Sequence, residues 1–336
     1  MDAIDKAILN ALMVNMGYRD SETVAIVMQE WHEGLRIELK PGFVRSKELC
    51  ERMYSVFKQN GINVELLSYA PPEARNGIDA SPEMYERISK RDIIFMPTAF
   101  SLTHTKFRKT QSEKGSRIAS MPTFTLEMFE EHGPMSTDYY ELDRITRLVG
   151  QDLIQGNYVR ITAVETDIVV EVDKDVLHIS SGLLINPGQY GNLPGAEAYV
   201  PPVHNGNTNG YITVPVGWGG PDALPYKAKF IVKNARFAEV IGENAEAQNY
   251  IDQNIKPLLF GQPDFNVVAE LGIGTNPNIT ADYVARKGWT ILTAEKIAGS
   301  AHFANGNSKA MGGKNDVPIH IDWVVPNVII QYDYKV

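Results

Sequence analysis

Asp92-Ile93-Ile94-Phe95-Met96-Pro97 sets four large apolar residues side by side between a charged residue and a proline. A run this short, with no polar alternation, reads as a strand buried on both faces. Strand-like and helix-like segments take turns around it. Residues 24–28 are short and apolar, and residues 46–59 carry Leu49, Met53, Val56 and Phe57 at helical spacing before Gly61. Residues 62–67 read as a strand and 82–89 as a helix; Gly115-Ser116-Arg117-Ile118 and a helical stretch over 125–131 follow. At the start, Ile4, Ile8, Leu12 and Met13 recur as on an amphipathic helix. Such alternation predicts an open α/β domain with a mainly parallel sheet over residues 1–155. No GxGxxG follows the first strand, so the usual dinucleotide fingerprint is absent.

The pattern changes near Gly156. Residues 159–164 and 168–172 read as two strands with Asp167 near the turn, and Gly- and Pro-rich segments punctuate residues 186–221 in the manner of antiparallel strands. Helices are expected over 245–258 and after Asn278-Ile279-Thr280. These features predict an α+β domain over residues 156–336, built around a curved sheet and carrying the metal site proposed below.

A chain of 336 residues suits two cores, and 43% apolar with 22% charged residues is the balance of a folded rather than a disordered protein. The net charge of -9 and the absence of a Lys/Arg cluster argue against a nucleic-acid partner. The acidic beginning and the Asn10 and Asn15 interruptions fit neither a signal peptide nor a membrane span. Cys50 is the single cysteine, which suits a reducing compartment, so the expected location is the cytoplasm.

Carboxylates and imidazoles, the usual protein ligands of zinc, manganese, cobalt and iron, recur at suggestive places in the second half. If residues 317–325 form a strand, His320 and Asp322 share one face, with Ile319, Ile321 and Trp323 on the other. A half-buried strand whose polar face meets solvent is the plainer reading. His302 lies in the small-residue stretch Gly299-Ser300-Ala301-His302-Phe303-Ala304, where a hydrogen-bonded core histidine is the alternative. Glu270 ends the apolar run Phe265-Asn266-Val267-Val268-Ala269, a place where an unpaired carboxylate is costly to bury. Glu197, in Leu193-Pro194-Gly195-Ala196-Glu197-Ala198-Tyr199, is a candidate ligand or a turn residue. In the first half, Thr98-Ala99-Phe100-Ser101-Leu102-Thr103-His104-Thr105 follows the apolar strand directly, and ligands of open α/β domains sit beyond strand carboxyl ends. His104 is therefore a candidate acid/base or substrate anchor, or else a helix cap. Arg108 and Lys109 beyond it read as a solvated helix face.

In order, Pro194 with Glu197, Glu270, His302, and His320 with Asp322 resemble the motifs of the aminopeptidase T and aminopeptidase S metallopeptidases. The runs from Glu270 to Pro277 and from Glu295 to His302 look like the shorter relatives of that family, which include the dihydroxypyridine ring-cleaving dioxygenases. The Ser-x-Thr-His-Thr around His104 also resembles those relatives. The resemblance implies that Glu197, Glu270, His302, His320 and Asp322 hold divalent ions: two of zinc, cobalt or manganese in the peptidases. It also implies a homodimer acting on a small molecule or peptide. It departs at Lys309, where the peptidases carry a tyrosine near the metals; Lys309, Asn305, Asn307 and Lys314 are the candidate replacement donors. The leading expectation is a metal-dependent, aminopeptidase-like hydrolase that uses metal-activated water. The alternative is a mononuclear non-haem Fe(II) dioxygenase with a facial triad from His302, His320 and Asp322 and with His104 steering protons.

Overall fold

The computed structural model describes residues 1–336. The strands run β1 Thr23–Gln29, β2 Asn63–Tyr69, β3 Ile93–Met96 and β4 Arg117–Ser120, then β5 Tyr158–Ala163, β6 Thr166–Glu171, β7 His178–Ser180 and β8 Tyr190–Asn192. They continue as β9 Glu197–Val200, β10 Asn209–Val214, β11 Ala228–Lys233 and β12 Arg236–Gly242, and end as β13 Val268–Gly274, β14 Ala301–Gly306, β15 His320–Val325 and β16 Ile329–Gln331. The chain divides into two compact units, the first of residues 1–140 with 182–195 and the second of 141–181 with 196–336. The passage expected once, at 155/156, therefore occurs three times. Helix Tyr139–Leu153 falls almost wholly in the second unit, and β8 returns to the first because it extends that unit's sheet beside β4.

In the first unit the order is β2-β1-β3-β4-β8, and every pairing is parallel. Burial explains the apolar strands: all four residues of β3 are inaccessible, as are residues 24–28 of β1 almost throughout. The helix joining β1 to β2, Lys40–Gln59, buries Phe43, Leu49, Met53, Val56 and Phe57 along one face. The helical expectation over 125–131 gives way to a short 3-10 turn, Leu126–Phe129, because Pro122 precedes it and Gly133-Pro134 follows. From β1 the chain crosses to β2 on one side and then to β3 on the other. The carboxyl ends of β1 and β3 thus form a topological switch point, where such sheets bind ligands. The loop after β3 is fastened there by Phe100 N, which donates to Gln29 Oε1 at 2.9 Å.

The second unit holds two antiparallel sheets, β12-β11-β10-β6-β5-β16 and β15-β14-β13-β9-β7. One apolar core joins them, with Ile161, Ile168, Phe230 and Val232 from the first sheet and Leu271, Ile273, Phe303 and Trp323 from the second. Phe230 and Trp323 pack with ring centroids 4.8 Å apart. The indole of Trp323 donates to Asn305 Oδ1 at 2.8 Å, and Asn305 Nδ2 donates to the carbonyls of Leu258 and Phe265. Asn305, expected as an oxyanion donor, is instead consumed within the core. The helix expected over 245–258 is two helices, Ala245–Asn254 and Lys256–Phe260, since Pro257 cannot continue the first. No helix is long and apolar enough to cross a membrane.

Phe303 is fully buried on the core side of β14, so Phe303→Ala should cost about 3–5 kcal/mol of unfolding free energy. A loss below about 1 kcal/mol in urea titration would show that this ring does not hold the two sheets together.

Candidate metal centre

The two-residue strand period separates structure from chemistry in the second sheet. On β13, Leu271 and Ile273 enter the core, leaving Glu270, Gly272 and Gly274 on the opposite face. On β14, Ala301 and Phe303 are core and His302, Ala304 and Gly306 face away; on β15, Ile321, Trp323 and Val325 are core and His320 and Asp322 face away. Ala198 and Val200 of β9 are core, and Glu197 lies on the other face. The ladder sets Gly274 opposite Glu197, Gly272 opposite His302, Glu270 and Asp322 on either side of Ala304, and His320 opposite Gly306.

All five carboxylates and histidines singled out in the second half meet on this face. His302 Nε2 donates to Glu270 Oε1 at 3.1 Å and lies 3.6 Å from Glu197 Oε2. His320 Nε2 lies 3.4 Å from Glu270 Oε2 and 3.5 Å from Asp322 Oδ1. His320 Nδ1 donates to the Asn307 carbonyl at 2.7 Å, which fixes the ring with Nε2 toward the carboxylates. Gly272 makes the arrangement possible: a Cβ there would lie 2.0 Å from His302 Nε2, so the imidazole rests where any side chain would stand.

Two further charged residues complete the cluster. Glu295 and Lys296 follow the short helix Ile291–Ala294, and Lys296 is completely buried. Its ammonium lies 2.8 Å from Glu197 Oε1 and also pairs with Glu295 Oε1. Sequence reasoning noted the run from Glu295 to His302 without assigning either residue a role. The available signal was an adjacent acid and base in an otherwise apolar and small-residue stretch, where burial demands mutual pairing.

The electrostatics follow from burying four carboxylates with one lysine and two imidazoles. Burial opposes a charge on His302, but the Glu270 hydrogen bond and the carboxylates of Asp322 and Glu197 raise it to about 9. Burial acts the same way on His320, and Asp322 and Glu270 outweigh it to hold the ring well above its ordinary value. Burial would raise Glu270, yet both imidazoles hold it well below the usual carboxylate range. Glu295 moves the other way, pushed up to about 8 by burial and by the charges of Glu197 and Asp322 against the pull of Lys296.

This donor set fits a divalent ion. Asp322 Oδ1 is buried without a hydrogen bond, a costly condition unless a cation uses the oxygen. Glu270, His302 and Asp322 each offer one donor atom, with all three atoms within 4.8 Å of one another, and the same is true of Glu197, Glu295 and His302. Mixed oxygen and nitrogen donors are those that first-row divalent metals take.

Three other expected residues do not join the cluster. Lys309 begins an exposed 3-10 turn, Lys309–Met311, and pairs with Asp316 Oδ2 at 2.5 Å. Its side chain is 65% exposed and joins no part of the cluster. Asn307 Nδ2 donates to the Val317 carbonyl at 2.8 Å, so that amide too is structural. His104 belongs to the first unit, exposed on the loop after β3. The cap of the following helix, Lys106–Glu113, is Thr105, whose hydroxyl accepts from Arg108 N, so capping does not explain His104.

Residues 18–336 match the model of one protein family, NicX: 2,5-dihydroxypyridine 5,6-dioxygenase. A 2,5-dihydroxypyridine dioxygenase from Pseudomonas putida KT2440 is similar in structure, with a TM-score of 0.73 and 15% identity over 99% of this chain and 95% of that one. AmpT from Thermus thermophilus is similar with a TM-score of 0.64 and 13% identity, again over 99% and 95%. No protein of curated function matches the sequence. The aminopeptidase-like hydrolase expected from the sequence is thereby corrected: the fold is shared with AmpT, but the family matched along nearly the whole chain is the dioxygenase one. The physical source of the error is that carboxylate and histidine ligands serve both chemistries, so their order alone does not separate them. The chain belongs to the NicX, 2,5-dihydroxypyridine 5,6-dioxygenase, family.

Proposed function

We propose that this protein is an Fe(II)-dependent dioxygenase that opens a small hydroxylated nitrogen-containing aromatic ring. The observation that carries the reading is the group of His302, Asp322 and Glu270 on one face of the sheet, with half-exposed His320 beside it and Asp322 Oδ1 lacking a hydrogen bond, in a chain of this family. His302, His320 and Asp322 would supply a two-histidine, one-carboxylate ligand set, and Glu270 stands beside them. Bound Fe(II) supplies the one-electron chemistry that lets dioxygen react with a spin-paired ring. Both oxygen atoms enter the product as a ring carbon–carbon double bond becomes two carbonyl groups, so the ring provides all the electrons and no further reductant is required.

The protein's own groups prepare that chemistry. The Asn307 carbonyl holds His320 in one orientation, and Gly272 lets His302 lie flat against the sheet. The carboxylates offset the charge of a dication in a site whose floor is dry, with His302 fully buried and Glu270 nearly so, and whose rim at His320 is open to solvent.

Protein loaded anaerobically with Fe(II) and then given 2,5-dihydroxypyridine in air should consume one dioxygen per ring and bleach the ring absorbance. An absence of oxygen uptake with every hydroxylated pyridine and benzene tried would reject the dioxygenase.

Gly272→Ala should push the His302 ring aside and weaken divalent-ion affinity by about 10–100-fold, the scale of a mispositioned ligand. Undiminished affinity in a folded variant would remove His302 from the donor set.

Proton linkage gives an independent check. His302 is charged below about 9 when no ion is bound, and only its neutral form can coordinate a metal. Ion uptake at neutral pH should therefore release protons, and affinity should rise between pH 7 and 9 by about tenfold per pH unit for each proton displaced. Calorimetric titration with Mn²⁺ in buffers of different ionisation enthalpy measures the release; a flat affinity between pH 7 and 9 would contradict the linkage.

A further inference from the structure

The cluster contains two groups of donors that share His302: Glu197 with Glu295, and Glu270 with Asp322. Two such groups joined by a common residue have the form of a centre for two metal ions, which in enzymes stand about 3.5–4 Å apart. The two groups differ in one respect. Both carboxylates of the first are engaged by the Lys296 ammonium, at 2.8 Å from Glu197 Oε1 and in contact with Glu295 Oε1. The second group is faced by imidazoles only: Asp322 Oδ1 makes no hydrogen bond and has His320 Nε2 at 3.5 Å, and Glu270 has both rings beside it.

Lys296 is also unable to withdraw. Its side chain is wholly buried, and its carbonyl accepts from Asn276 N at 2.9 Å. The turn that carries it lies directly on the end of β13: a Cβ on Gly274 would meet the Ile297 carbonyl oxygen at 2.3 Å and the Lys296 carbonyl carbon at 2.7 Å. The ammonium is thus a cation tethered to the chain, seated on the carboxylates that a second dication would need. A dication beside it would be repelled by a positive charge that, fully buried, water does not screen, and would have to compete with it for the same two carboxylates.

The geometry points to Lys296 as the residue that sets the metal count: it fills the Glu197–Glu295 position and confines the chain to a single divalent ion, held on the other side of the cluster among His302, His320, Asp322 and Glu270. The inference rests on the metal-site reading above but not on the reaction catalysed. A fixed ammonium neutralises charge without offering an open coordination position, so it removes the bridging-water chemistry of a two-metal hydrolase while leaving one ion free to bind a substrate.

The test is ion stoichiometry. Wild type, Lys296→Met, Lys296→Gln and Lys296→Arg are purified free of metal and equilibrated with Mn²⁺ or Zn²⁺. Bound metal is measured by elemental analysis, and the Mn²⁺ samples by electron paramagnetic resonance. The expected result is one ion per chain in wild type and Lys296→Arg. Two ions are expected in the uncharged variants, with the spectrum of a spin-coupled manganese pair. Lys296→Gln keeps a donor for Glu197 and gives the same reading should the methionine variant not fold. Two ions in wild type, or one ion in a folded uncharged variant, would overturn the assignment. Neither outcome depends on ring cleavage, so the failure of this inference and the failure of the dioxygenase reading are told apart by the oxygen-uptake assay.

Discussion

Four carboxylates, those of Glu197, Glu270, Glu295 and Asp322, are gathered on one face of an antiparallel sheet with only one lysine and two imidazoles among them. Removing carboxylates from water is costly unless cations and hydrogen bonds replace the lost solvation. The local structure reads as a response to that cost. Lys296 is buried without any exposure to reach two of the acids, both histidines are held toward the charged state, and Glu295 is driven toward its neutral form. One oxygen, Asp322 Oδ1, still has no hydrogen bond. A buried carboxylate oxygen left without a hydrogen bond, beside imidazoles that can give up their protons, suits a cation from solution.

The sheet tolerates the concentration of charge because its other face is ordinary core. Leu271, Ile273, Phe303, Ile321, Trp323 and Val325 alternate strictly with the polar positions and pack against the six-stranded sheet. Burial of those side chains contributes the stability that a buried acidic cluster forfeits, roughly 1.5–3 kcal/mol for each large apolar group. Strand alternation thus lets a single set of three strands serve as scaffold on one side and binding surface on the other. The glycines mark where the two demands collide. At Gly272 the ligand ring needs the volume of a side chain, and at Gly274 a neighbouring turn needs it.

The balance between hydrolase and dioxygenase turns on features that residue order does not carry. Peptide hydrolysis of the expected kind would need a second cation position and a donor for the oxyanion in place of the tyrosine. Lys309 points into solvent with Asp316, Asn305 supports Trp323, and Asn307 serves the loop and His320. The second cation position is occupied by Lys296. What the cluster retains is a mixed nitrogen and oxygen donor set around one open place, which is the simpler requirement of a mononuclear iron site.

Much of this was legible in the sequence. The four-residue apolar run at Ile93–Met96 and its alternation with helices determined a parallel sheet, because only a strand covered on both faces is apolar at every position. The His320–Asp322 spacing determined that both side chains share a face, because the strand period is two. Tertiary structure alone decided the rest. Nothing local indicates that residues 182–195 return to the first unit, since the pairing of β8 with β4 depends on partners about seventy residues apart. Nor does local pattern separate Lys296 from Lys309, two lysines in short turns: one is sealed between carboxylates and the other stands in water. Propensity and period report on neighbours along the chain, whereas the charge that surrounds a side chain is set by strands that meet only after folding.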